Sequence, residues 1–107
     1  MAQPIYKFFR VRFSEAWYQL SEEEQNSLET KVNQALQEVG GKRVLLCSTN
    51  WSSEQWSIAG VEEFPNIEAV QNHIAALNRL DWWRYIDSTI LLGTKLEPLR
   101  PSGFIQS

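Results

Sequence analysis

The sequence predicts an α+β domain in which two helices cover one face of a four-stranded antiparallel sheet, and three observations predict it. Residues 5–13, IYKFFRVRF, alternate with the period of two that a strand imposes. Two later stretches carry apolar residues at helical spacing behind helix-start signals. The last strong apolar run, Ile90, Leu91 and Leu92 after Thr89, is consecutive rather than alternating, so neither of its faces is left for water. In chain order the elements read β-α-β-β-α-β, the split βαβ arrangement.

In the first strand Phe9, Val11 and Phe13 point one way, and Tyr6, Phe8, Arg10 and Arg12 the other. Ser21 and Glu24 then form an S-x-x-E capping box, which predicts a helix over 22–39 with Leu28, Val32, Ala35, Leu36 and Val39 on its apolar face and Gly40-Gly41 at its end. Residues 42–49 and 55–61 read as two strands joined through the turn Asn50-Trp51-Ser52-Ser53. Gly60, inside the second of these, marks a bulge or a close approach to the backbone. Phe64-Pro65-Asn66 opens the second helix, whose stripe is Ile67, Val70, Ile74 and Leu77 and whose end falls near Arg79. Asp81-Trp82-Trp83-Arg84-Tyr85 makes an irregular turn before the last strand. The domain spans 1–96, and the tail 97–107, with two prolines and little periodicity, reads as a terminal extension.

A chain of 107 residues holds one core. Its net charge of −3 offers no general attraction to phosphate backbones or anionic lipid, which argues against nucleic acid as a partner. No stretch approaches the apolar length of a membrane span, and the N-terminus lacks a secretory apolar region, so the expected location is the cytoplasm. A reducing compartment also suits the single Cys47, which sits in the run VLLC and reads as a small buried hydrophobe. One cysteine and one histidine exclude a multi-cysteine zinc site and a nucleophile triad.

Apolar side chains leave the sheet in both directions, yet two helices cover one face only. A monomer would expose the other, and a second copy in an isologous homodimer is the simplest cover. In these respects the run WSSEQWSIAGVEEFPNIEAVQNHIAAL followed by WWRYIDSTILLG resembles the dimeric α+β barrel superfamily of ferredoxin-like proteins, within it an uncharacterised family distantly similar to antibiotic-biosynthesis and heme-degrading monooxygenases. The superfamily also holds chlorite dismutase-like heme enzymes and stress-induced association proteins. The resemblance implies two protomers packed sheet to sheet. From the heme-degrading branch it implies that His73, on the second helix, is the one candidate for an iron ligand, although the first strand lacks the asparagine expected beside such a heme.

Three groups of residues could carry function. His73 is placed at the margin of its helix stripe and reads either as an acid/base group or ligand, or as a boundary residue bonded to water or backbone. Trp56, Trp83 and Tyr85, among the chain's many rings, could line a pocket for a flat aromatic or hydrophobic ligand, or belong to core and interface. Arg10 and Arg12 could hold a carboxylate inside the barrel, or pair with Glu62, Glu63 or Asp87. The functional expectations are thus a homodimer binding a small apolar ligand, a monooxygenase-like enzyme with a pocket near His73, with or without heme, or a structural association protein.

Overall fold

The computed structural model describes residues 3–96; the tail assigned to 97–107 lies outside them. Strand β1 (Ile5–Phe13) leads through a short helix α1 (Glu15–Tyr18) to helix α2 (Glu22–Glu38), then β2 (Lys42–Ser48), β3 (Ile58–Phe64), helix α3 (Ile67–Arg79), a single 3-10 turn (Trp82–Arg84) and β4 (Ile86–Gly93). The sheet runs β2-β3-β1-β4 with every pairing antiparallel. This is the ferredoxin-like arrangement expected from the order of elements.

The helix starts form as the sequence requires. Ser21 Oγ accepts from the Glu24 N–H at 3.1 Å while Glu24 Oε1 accepts from the Ser21 N–H at 2.9 Å, closing the capping box of α2. Asn66 Oδ1 accepts from the Ala69 N–H at 2.8 Å and begins α3. Gly40, at φ 79°, supplies the left-handed residue that ends α2.

Two sequence expectations shift. The third strand begins at Ile58 rather than Gln55 and continues to Phe64, because Ser53 Oγ accepts from the Gln55 and Trp56 N–H groups and keeps that segment in a turn. The last strand begins at Ile86, directly after the turn expected over 81–85, and ends at Gly93. Cys47 is exposed, not buried: it lies on an edge strand opposite Ala59, with its side chain on the face away from the helices. Gly60 proves to be a close approach, since a Cβ there would lie 2.7 Å from the Phe9 ring and 2.6 Å from the Leu45 carbonyl oxygen.

Register fixes which side chains share a face. Ile5, Lys7, Phe9, Val11 and Phe13 of β1 face the helices together with Ile58, Glu62 and Phe64 of β3, and Ile86, Ser88 and Ile90 of β4. The core is concentrated at one end of this layer, where Leu36, Phe64, Ala69 and Val70 pack with Ile5, Val39 and Ile74. At the other end Trp17 stacks on Phe13 at 4.8 Å and meets Trp82 edge-on at 5.9 Å. The opposite face is open. On it Leu45, Val61, Phe8 and Leu91 stand side by side, one from each strand, in a row that crosses the whole sheet.

Candidate functional site

Between the two packed ends a cavity of about 300 Å³ separates the helices from the sheet. Phe9, Val11, Ile58 and Ile90 form part of its floor, Val32 and Leu77 part of its helical wall, and Trp82 and Trp83 its aromatic end. Against this apolar lining stands a polar cluster of Lys7, Arg43, Glu62 and His73. Each member is placed by the parity of its element: Lys7 is directly opposite Glu62 in the β1–β3 ladder, and Glu62 is opposite Arg43 in the β2–β3 ladder.

His73 is not at a margin. It is 3% exposed, and its position three residues after Val70 and four before Leu77 puts it on the buried line of α3. Its Nδ1 lies 3.1 Å from Lys7 Nζ, and its ring packs against Phe64 with centroids 5.2 Å apart. No buried nitrogen or oxygen among the described side chains lacks a hydrogen-bond partner. Nε2, to which no hydrogen bond is made, is therefore the ring atom left in contact with the open space of the cavity. Burial pulls the imidazole down from 6.5 to about 4, with the charges of Lys7 and Arg43 acting in the same direction, so His73 is neutral at physiological pH.

Lys7 is also 3% exposed. Burial lowers the pKa of its ammonium, opposed by the charge of Glu62. None of the ion pairs among the described residues includes Lys7; the Glu62 carboxylate pairs with Arg43 at 3.5 Å instead. Glu62 is pushed above its ordinary range by burial, with Lys7 and Arg43 pulling it back. Arg43 is fixed from its other side, where Nη1 donates to Asn33 Oδ1 of α2 at 3.1 Å.

The structure divides the residues singled out from sequence between two faces. His73 and Trp83 line the cavity. Arg10 and Arg12 lie on the opposite side of the sheet, both stacked over the Trp56 ring, at 5.2 and 5.8 Å, and Arg12 pairs with Asp87 at 3.2 Å. Tyr85 is half-buried outside the cavity lining, and its backbone carbonyl accepts from the Ser14 N–H at 2.9 Å. Lys7, Glu62 and Arg43 went unremarked as cavity residues. The signal for Lys7 was its parity, since it alternates in step with Phe9, Val11 and Phe13 and so had to face the helices.

No protein-family model matches the chain, and no curated protein matches it by sequence. Solved structures do. A protein of unknown function from Rhodopseudomonas palustris is 18% identical, with a TM-score of 0.65 over 92% of this chain and 86% of that one. A mutant of chlorite dismutase from Candidatus Nitrospira defluvii is 14% identical, with a TM-score of 0.73 over 98% of this chain and 45% of that one. A second mutant of the same enzyme reaches 0.71 at 15% identity, over 92% and 42%. The chain thus spans less than half the length of the chlorite dismutase chains it matches. At these identities the likeness establishes the ferredoxin-like fold, which the pairing of the strands shows independently.

Proposed function

We propose that the protein is a homodimer, joined through the open sheet face, whose protomers each bind a small aromatic or hydrophobic molecule in the cavity between helices and sheet. The observation that carries this reading is the cavity itself. A protein whose sole task was association would fill that layer with side chains, whereas here rings and aliphatic groups surround space, with a few convergent polar groups at one side, the pattern of a small-molecule site. The exposed free thiol of Cys47 suits the reducing cytoplasm, and no helix among the described residues is long and apolar enough to cross a membrane.

Trp82 and Trp83 report on occupancy. Titration with naphthalene and naphthol will quench their fluorescence in the unaltered protein, and Val32→Phe, which places a ring in the cavity from α2, will weaken binding at least tenfold while the fold persists. Absence of quenching in the unaltered protein, or equal affinity in the variant, refutes the reading.

A second reading follows from the resemblance to heme proteins, with His73 as the axial ligand. The residues do not fit it. The cavity is at the lower end of the range for small-ligand sites, about 300–1,000 Å³, and a porphyrin with its side groups exceeds it. A ligating imidazole donates its second N–H to a carboxylate, carbonyl or water, but Nδ1 of His73 faces the amine of Lys7. An amine donating to Nδ1 leaves the proton on Nε2, the atom that would have to bind iron. Hemin titration is accordingly expected to give the same Soret spectrum with the unaltered protein and with His73→Ala; a band that depends on His73 would restore the heme reading.

A further inference from the structure

We propose that Lys7 is an amine nucleophile, with His73 as its proton acceptor, and that the ligand of the cavity carries an aldehyde or ketone which condenses with Lys7 to an imine. This deepens the reading of the cavity as a ligand site and rests on it.

Three features of the geometry lead there. The amine is buried and lines the cavity, and the one acid opposite it in the ladder is engaged by Arg43. An ammonium held in such a place with no carboxylate in ion-pair contact is costly, and the Phe64 ring, whose centroid lies 5.1 Å from Nζ, compensates only weakly. The neutral amine removes that cost. Its hydrogen-bond partner is an imidazole nitrogen at 3.1 Å, and a nucleophile and a base within hydrogen-bond reach are the signature of covalent catalysis. An amine that donates one N–H to Nδ1 keeps its lone pair for attack. The apolar walls then hold the body of the carbonyl compound beside the amine. Burial, which lowers the pKa of Lys7, acts in the same sense.

The step balances without an oxidant or reductant. The Nζ lone pair adds to the carbonyl carbon as the C=O π pair moves to oxygen, and the proton released from nitrogen passes to Nδ1 of His73. That proton is returned to the alkoxide oxygen to give the carbinolamine, the second Nζ proton is relayed through Nδ1 to the hydroxyl, and the C–O bond breaks with loss of water as the nitrogen pair closes the C=N bond. One carbonyl compound and one amine give one imine and one water.

The full chain, incubated with benzaldehyde and cyanoborohydride at neutral pH and mapped by mass spectrometry, tests this. A reduced benzyl adduct is expected on Lys7 in at least tenfold excess over the exposed Lys31, Lys42 and Lys95, lost in Val32→Phe and slowed about tenfold in His73→Gln. The noncovalent binding of benzyl alcohol, followed by tryptophan fluorescence, should be present in the unaltered protein and lost in Val32→Phe. Binding of benzyl alcohol with no preference of the aldehyde for Lys7 overturns the nucleophile and leaves the ligand site standing. Failure of both probes overturns both.

Discussion

Leu91→Asp will leave the protein monomeric at micromolar concentration, where the proposed assembly predicts that the unaltered chain sediments as a dimer. Leu91 is 70% exposed in the single chain, and with Leu45, Val61 and Phe8 it completes the apolar row across all four strands. The neighbouring row, Cys47, Ala59, Arg10 and Thr89, is more polar, so the greasy band is bordered as an interface is. A two-fold axis through such a face brings each row against its own copy, and one substitution therefore acts twice. An uncompensated buried carboxylate costs about 3 kcal/mol or more. Doubled, this corresponds to about four orders of magnitude in the dissociation constant. The same substitution touches nothing in the cavity, so the protomer's circular dichroism should be unchanged. A dimer that survives Leu91→Asp, or an unaltered chain that sediments as a monomer, refutes the assembly.

The sequence made the scaffold legible wherever a local rule sufficed. Alternation assigned the two faces of β1 correctly, and Ser21 with Glu24 marked the start of α2 because a capping box is satisfied within four residues. Local rules failed where tertiary partners decide. Trp56 looked like a strand residue, but the hydroxyl of Ser53 holds its amide in a turn and two arginines lie over its ring. The margin expected for His73 rests on its spacing from Val70 and Leu77 within its own helix, and that spacing carries no information about a partner elsewhere in the fold. The partner of His73 is on β1, sixty-six residues away. Cys47 misled for the converse reason, since an apolar run on an edge strand is buried only if something covers that edge.

The two faces of the sheet therefore carry different assignments. On the open face Arg10 and Arg12 are engaged by Trp56 and Asp87. On the helical face, charged residues stand at three adjacent ladder positions, Lys7, Glu62 and Arg43, where apolar side chains would otherwise fill the layer. Such a substitution weakens a small core, a cost that the proposed ligand site accounts for. The discontinuity in register between Arg43 and Leu45 belongs to the same design: it allows Arg43 to face Glu62 and Asn33 while Leu45 joins the outer row.

Acid should expose the cost of this cluster. In the folded protein His73 takes up a proton only near pH 4, whereas in the unfolded chain it does so near 6.5. Between those values the unfolded state binds more protons, so stability rises with pH; equivalently, it is lost as pH falls from about 6.5 and the loss is complete below about 4. At about 1.4 kcal/mol for each tenfold change in proton activity, the loss attributable to His73 approaches 3 kcal/mol, a large share of the stability of a domain this size. The groups facing the imidazole modify the profile in known directions. Glu62, raised by burial, keeps its proton in the folded state above 4.5, so it adds stability as pH falls through its window and partly offsets the loss. Lys7, lowered by burial, contributes in the same sense as His73, so that stability rises with pH up to 10.5. His73→Gln isolates the imidazole, because the amide can still accept from Lys7 but does not titrate. Urea denaturation at pH 7 and pH 4 should therefore show a fall in stability for the unaltered protein that exceeds the fall for His73→Gln by about 2–3 kcal/mol. Equal falls would mean that the imidazole protonates in the folded state as it does in water, which is incompatible with a buried Lys7–His73 pair.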